Sequence, residues 1–294
     1  MTSVVLEAGP ADMTFPTLAP GAPTRVDAID VAGHTDRGRV RERNEDHFLI
    51  AELGGYVRVK GTNLADPRRR NEIRSPAATV AAIADGMGGH GHGELASAVA
   101  LDALAGDLLR FSPQLMDDAG ARAPQALLSR LAATAATAQE QLRATTRRKG
   151  ADATRPGTTL TVALFNRDRA LVMHVGDSRA YLARGSAIER LTHDHTLGEQ
   201  VRAQGLEGAP RLDDILVNVI GGNDDTPAAE VAEVALQPGD ALILVSDGVT
   251  KYLSDEACVG LIQGRDAATA AEALVAAAVA AGGGDNATAI VARL

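Results

Sequence analysis

The 294-residue sequence has a single cysteine, Cys258, no tryptophan and only 2% aromatic residues. A lone cysteine excludes a disulfide framework and a cysteine-built zinc site, and it fits a reducing compartment. Its setting, Asp255-Glu256-Ala257-Cys258-Val259, offers no histidine to activate it. It therefore reads as a buried structural thiol on the inner face of a short helix. So few aromatics leave little with which to stack bases or sugar rings. There is no basic excess either: the net charge is −9, which argues against gripping phosphate backbones and against a nucleic-acid partner. No run of roughly 18 apolar residues occurs, and the alanine-rich stretch 267–281 is interrupted by Glu272. The start, MTSVVLEAGPADM, carries no basic residue, so no secretory signal is expected. The expectation is a cytoplasmic protein with no membrane contact.

What the chain does have is 45% apolar residues, enough for a sizeable core. At about this length folding hides about 75% of the unfolded chain's surface, so no structural metal is needed to fold it. Residues 1–28 hold Pro10, Pro16, Pro20 and Pro23 among Ala, Thr and Gly, which predicts a flexible lead-in before a domain at 29–294. Apolar runs of strand length at 48–53, 79–84, 160–165, 171–175, 180–183, 241–245 and 287–293 alternate with helical periodicity at 94–111, 124–148, 197–204, 254–263 and 266–281. The runs at 171–175 and 180–183 flank Gly176-Asp177-Ser178 and read as a hairpin. A basic, turn-rich insert at 58–74 centres on Arg68-Arg69-Arg70 and reads as a solvated loop. Clustered runs of strands and helices favour an α+β layer architecture.

One feature recurs without being a repeat. An apolar strand runs into an acidic residue flanked by glycine at Ala84-Asp85-Gly86, Gly176-Asp177-Ser178 and Ser246-Asp247-Gly248, and Asp285-Asn286 follows a glycine run. A single Asp-Gly after a strand is ordinarily a turn. Several such carboxylates can converge at a common sheet edge, where they repel one another and need cations. Hard oxygen donors without sulfur or paired histidines favour Mg²⁺ or Mn²⁺, and a pair of such ions is a common apparatus for hydrolysing phosphate esters. Glu45-Asp46 adds an acidic pair close after Arg41, and a guanidinium can grip a phosphate with two parallel bonds.

The segments Arg41-Glu42-Arg43-Asn44-Glu45-Asp46, Asp85-Gly86-Met87-Gly88-Gly89-His90, Gly157-Thr158-Thr159, Gly176-Asp177-Ser178-Arg179-Ala180-Tyr181, Leu191-Thr192-His193-Asp194-His195, Ser246-Asp247-Gly248 and Asp285-Asn286-Ala287-Thr288 resemble, in order, the bacterial branch of the type-2C metal-dependent Ser/Thr protein phosphatases. The resemblance implies a central sandwich of two antiparallel β-sheets flanked by α-helix pairs, a four-layer αββα arrangement with the metals at one end. It implies hydrolysis of phosphoserine and phosphothreonine proteins by direct attack of a metal-bridging water, using two Mn²⁺ or Mg²⁺ ions, or three. Carried onto this chain, Asp85 bridges both ions, Asp247 and Asp285 complete one, and Glu45 with the Gly86 carbonyl holds the other. Asp46 orients water from behind the ligands, Asp177 with Asp247 matches a weaker third site, and Arg41 binds the phosphate. Residues 196–230 match the family's variable flap.

The implied partners are phosphorylated proteins, a Ser/Thr kinase and its targets, with the chain acting as a monomer. A phosphoprotein-binding regulator, or a partner-switching phosphatase acting on an anti-sigma antagonist, is the alternative. Some eukaryotic relatives place a histidine directly after the Asp-Gly pair, whereas this chain has Met87, so the proton donor to the leaving oxygen stays open; His90 and His92 are near in sequence. The His193-Asp194-His195 cluster lies outside the family's ligand set and reads as structural hydrogen bonding.

Overall fold

In the strand Ala78–Ala84 every residue is buried, and the reason is visible in which core each one joins. Val80 and Ala82 pack toward helices, while Ala81 and Ile83 face a second sheet. A strand covered on both faces loses the apolar–polar alternation and reads as a continuous apolar run. The same holds at 241–245, where Ile243 and Val245 meet helices and Leu242 and Leu244 meet the opposing sheet.

The computed structural model describes residues 29–53, 57–63, 78–88, 92–116, 124–149, 155–166, 168–222 and 225–294. Six strands form one antiparallel sheet, in spatial order β12 (Glu230–Ala235), β8 (Arg169–Val175), β7 (Leu160–Asn166), β4 (Ala78–Ala84), β2 (His47–Leu53) and β3 (Val57–Thr62). Five form the other: β1 (Asp30–Asp36), β14 (Ala287–Arg293), β13 (Ala241–Val245), β9 (Arg179–Arg184) and β10 (Ala187–Arg190). A short ribbon joins β11 (Ile220–Gly221), β6 (Gly157–Thr158) and β5 (Gly86–Met87). Helices α1 (His92–Met116) and α2 (Pro124–Lys149) cover the six-stranded sheet, and α5 (Asp255–Ile262) and α6 (Ala267–Ala281) cover the other. Two short helices, α3 (Leu197–Ala203) and α4 (Asp247–Thr250), lie in the connections. This is the four-layer α+β sandwich implied by the sequence motifs.

Small residues let the layers approach closely. A Cβ on Gly33 of β1 would sit 3.0 Å from the Phe48 ring, so glycine leaves that ring its place between the sheets. Ala96, Ala100 and Ala103 on α1 and Ala135 and Ala138 on α2 are buried in the same core. Cys258 is buried against the five-stranded sheet, as a structural thiol should be.

The structure corrects three expectations. The runs flanking Gly176 do not form a hairpin: β8 pairs with β7 and β12, whereas β9 pairs with β10 and β13. The chain crosses from one sheet to the other at Gly176, whose φ of +115° is open to glycine. A side chain there would also meet Thr159 at 2.5 Å. Second, the first part of the 58–74 insert belongs to edge strand β3 and pairs with β2; Arg68-Arg69-Arg70 lies outside the described residues, as do 1–28. Third, α4 and β12 were not expected, the first because four residues are too few to show a helical period.

Leu104 on α1 is fully buried, and Leu104→Ala is expected to cost about 2–5 kcal/mol. Urea unfolding followed by circular dichroism measures this; a loss under about 1 kcal/mol would contradict the packing of α1 on the sheet.

Candidate active site

Strand register places the acidic residues at one end of the sandwich. His47 at the start of β2 pairs with Ala84 at the end of β4, so Glu45-Asp46 and Asp85 emerge together. Val245 at the end of β13 pairs with Ala289 near the start of β14, which brings Asp247 beside Asp285. Val175 at the end of β8 pairs with Leu160, which puts Asp177 at the same rim. Arg41, Glu45, Asp85, Gly86, Asp177, Asp247 and Asp285 all line one cavity of about 520 Å³. Asp46 lies beneath it, wholly buried.

Three of the acidic residues, Asp85, Asp46 and Glu45, are held through backbone or carboxylate by polar side chains from elsewhere in the chain. The Asp85 N–H donates to the Thr159 hydroxyl at 3.0 Å, and the Asp85 carbonyl accepts from the Thr159 N–H and the Thr158 hydroxyl, both at 2.9 Å. Gly157-Thr158-Thr159 thus braces the residue at the centre of the cavity. Ser246 and Thr288 donate to Oδ2 of Asp46 at 2.8 and 2.7 Å. The Asn286 amide donates to the carbonyls of Arg37 and Arg43 at 2.8 and 2.9 Å, and its oxygen accepts from the Glu45 N–H at 2.8 Å. One side chain beside Asp285 therefore fixes the loop that carries Arg41 and Glu45.

Glycines bring α1 against this floor. A Cβ on Gly86 would lie 2.2 Å from the Gly93 carbonyl oxygen, and one on Gly93 would lie 2.6 Å from Oε2 of Glu45. The Glu45 carboxylate accepts from the backbone N–H groups of Glu94 and Gly93 in the first turn of α1, where a helix favours an anion. Burial outweighs those bonds and raises its pKa.

Crowding of like charge dominates the electrostatics. Burial, with repulsion from Asp46, Asp247, Asp177 and Asp285, pushes Asp85 well above the usual carboxylate range. Burial likewise pushes Asp46 and Asp177 up to about 7, each opposed by nearby hydrogen bonds or positive charge. Oδ1 of Asp46 and Oδ1 of Asp247 are buried without any hydrogen-bond partner. Unpartnered buried oxygens inside an all-oxygen donor set are what a hard divalent cation satisfies, so the residues present fit Mn²⁺ or Mg²⁺.

Two cations already reach this cluster. Arg41 grips Asp285 with Nε at 2.8 Å and a terminal nitrogen at 2.9 Å. Lys251, which the sequence reading did not single out, places Nζ 2.6 Å from Oδ2 of Asp247 and 3.4 Å from Asp285. Its signal was the four-residue spacing from Asp247, legible only once α4 is known. Met87 lines the cavity, and no histidine is among its described lining residues. His90 lies outside the described residues.

The His193-Asp194-His195 segment is a hydrogen-bonded frame. The His174 ring is satisfied by the Thr161 hydroxyl and the Gly176 and His193 carbonyls at 2.9–3.0 Å. Nδ1 of His195 accepts from the Gly176 N–H at 3.1 Å, and Asp194 pairs with Arg179 and Arg190. His174, His195 and Glu230 stand close enough to share an ion, but these bonds commit both His174 nitrogens and Nδ1 of His195.

The protein phosphatase 2C family model matches residues 58–281. The serine/threonine protein phosphatase PstP of Mycobacterium tuberculosis is 30% identical over 275 residues, covering 89% of this chain and 44% of that protein. The chain thus spans less than half the length of that curated relative. The serine/threonine phosphatase stp of Listeria monocytogenes is 28% identical over 274 residues, with 87% and 92% covered. The crystal structure of the PstP catalytic domain in complex with two manganese ions superposes with a TM-score of 0.67 at 28% identity, covering 90% of this chain and 97% of that one.

The raised carboxyls fix the pH dependence of stability. Asp46, Asp85 and Asp177 bind protons more tightly folded than unfolded, so in EDTA their contribution is full below an unfolded pKa of about 4 and is lost as pH rises toward neutrality. Saturating Mn²⁺ is expected to reverse the loss, raising Tm more at pH 8 than at pH 5. An equal rise at both pH values in scanning calorimetry would contradict this coupling.

Proposed function

The chain belongs to the protein phosphatase 2C family, and from that premise we propose that it is a metal-dependent protein serine/threonine phosphatase. The observation that carries this is the convergence of Glu45, Asp85, Asp177, Asp247 and Asp285 with Arg41 on one cavity, above two buried and unpartnered carboxylate oxygens. A pair of divalent ions bound there supplies Lewis acidity and activates water for attack on phosphorus. Asp85, braced by Thr158 and Thr159, would be the ligand the two ions have in common; Asp247 and Asp285 would help hold one of them, and Glu45 with the Gly86 carbonyl the other. Asp46, anchored through Oδ2 by Ser246 and Thr288, keeps Oδ1 without a protein partner and would orient water with it. Arg41 exchanges its pairing with Asp285 for a bidentate grip on the substrate phosphate; its side chain is 54% exposed and free to swing.

On this reading the substrates are phosphoserine and phosphothreonine proteins made by Ser/Thr kinases of the cytoplasm, and the chain acts as a monomer. Among the described residues no helix is long and apolar enough to cross a membrane. Residues 29–294 form the phosphatase domain, with 1–28 as a lead-in and 196–230 as a flap. Asp214 and Leu216 from that flap line the cavity and so face an arriving peptide.

The test is phosphate release from a phosphothreonine peptide. Turnover is expected with Mn²⁺ or Mg²⁺ and none with excess EDTA, and alkylating Cys258 should leave it unchanged. No turnover with any ion by folded protein would favour a phosphoprotein-binding regulator. Arg41→Ala removes a bond to a charged group, about 1.5–3 kcal/mol, so kcat/KM should fall ~10- to 100-fold, mainly through KM. Unchanged kinetics would remove Arg41 from the site. Asp247→Asn should abolish turnover with the circular dichroism spectrum retained, and near-normal activity would sink its ligand role.

A further inference from the structure

The two oxygens of Asp247 have different surroundings. Oδ1 is buried without a hydrogen-bond partner. Oδ2 takes the Lys251 ammonium at 2.6 Å. The side chains are joined by one turn of backbone: Asp247 opens α4, and Lys251 caps its end with its N–H bonded to the Asp247 carbonyl at 2.8 Å. Arg41 is different. It reaches Asp285 from a separate loop and can leave, whereas α4 keeps Lys251 within one turn of Asp247 whatever else binds.

Lys251 also faces the other carboxylates of the rim. Its Nζ is 3.4 Å from Asp285, its charge acts on Asp177, and its side chain lines the same cavity as both. A divalent ion placed between Asp177 and Asp247 through Oδ2 of Asp247 would stand against the Lys251 ammonium, which already holds that oxygen at 2.6 Å. At about 4 Å, a unit charge against a divalent ion is strongly unfavourable in any partly desolvated site. Oδ1 of Asp247, buried and without a partner, remains available to a divalent ion.

We propose that the Lys251 ammonium takes the place of a third divalent ion between Asp177 and Asp247, so that this chain works with two ions and a built-in cation. The inference rests on the two-metal reading above and adds to it. The lysine stabilises the acidic rim beside Asp177 independently of metal concentration, and it neutralises the half of Asp247 that the ion pair does not use.

The number of bound ions tests this apart from activity. Equilibrium dialysis of the full chain against saturating Mn²⁺, with metal measured by atomic emission, is expected to give two ions per chain. Lys251→Asp should give three, and adding Asp177→Asn to Lys251→Asp should return the count to two. Lys251→Gln, with neutral charge and similar length, should admit the third ion more weakly than Lys251→Asp, and circular dichroism checks that each variant folds. Three ions on the unsubstituted chain would overturn the proposal while leaving the two-metal reading intact. A count of two in both Lys251 variants would also overturn it. No bound ion on the folded chain would overturn the metal reading itself and the proposal with it.

Discussion

Repulsion among carboxylates gathered at one end of a β-sandwich is the interaction on which the rest depends. Left in a partly desolvated cavity, Asp46, Asp85 and Asp177 hold their protons well above the usual range, because neighbours of the same sign and the loss of water both oppose ionisation. The fold does not relieve that conflict by spreading the residues apart. It bonds Asp46, Asp85 and Glu45 in place through Thr158, Thr159, Ser246, Thr288 and Asn286, and leaves Oδ1 of Asp46 and of Asp247 without protein partners. What the polypeptide does not neutralise, a divalent cation can, and relief of the repulsion adds to its attraction for the ligand oxygens.

The scaffold is chosen by the same requirement. Both sheets are buried on two faces, so their central strands are mainly apolar, with a few buried polar residues such as Thr161 and His174. Polar residues collect where strands end. Small residues at Gly33, Gly86 and Gly93 bring the layers and the first turn of α1 close enough for Glu45 to reach backbone donors. A loop carrying Glu45 could not fix it within bonding distance of Gly93 without that approach, and sites held on rigid elements keep their geometry better than sites on free loops.

Most of this was legible in the sequence for a physical reason. Each candidate ligand is a short-range signal, an acidic residue beside glycine just past an apolar run, and register then brings the signals together without further information. Asp85, Asp177, Asp247 and Asp285 could be picked out in this way, and the flanking motifs supplied Arg41, Glu45 and Asp46. The rest depended on partners far along the chain. The path at Gly176 looks like a hairpin locally, and only the pairing of β9 with β13 reveals the crossing between sheets. Lys251 could not be placed because α4 is a single turn. The supports of Asp46, Ser246 and Thr288, lie some two hundred residues away from it.

Those long separations bear on how the molecule comes into being. Strand β1 pairs with β14 along its whole length, and Thr35 bonds Thr288 across 253 positions. Asn286 ties the loop at 37–45 to the segment that precedes β14. Local helices and the β7–β8 hairpin can form early, but closure of so large a loop comes late because its entropy must be spent before its bonds return anything. Pairing within the six-stranded sheet already gathers Glu45, Asp46, Asp85 and Asp177 at one rim, whereas Asp247 and Asp285 are brought beside each other only when β14 docks on β13. Docking of β14 and completion of the acidic cluster are one event, and a chain whose β14 has not docked carries every candidate ligand without possessing a site.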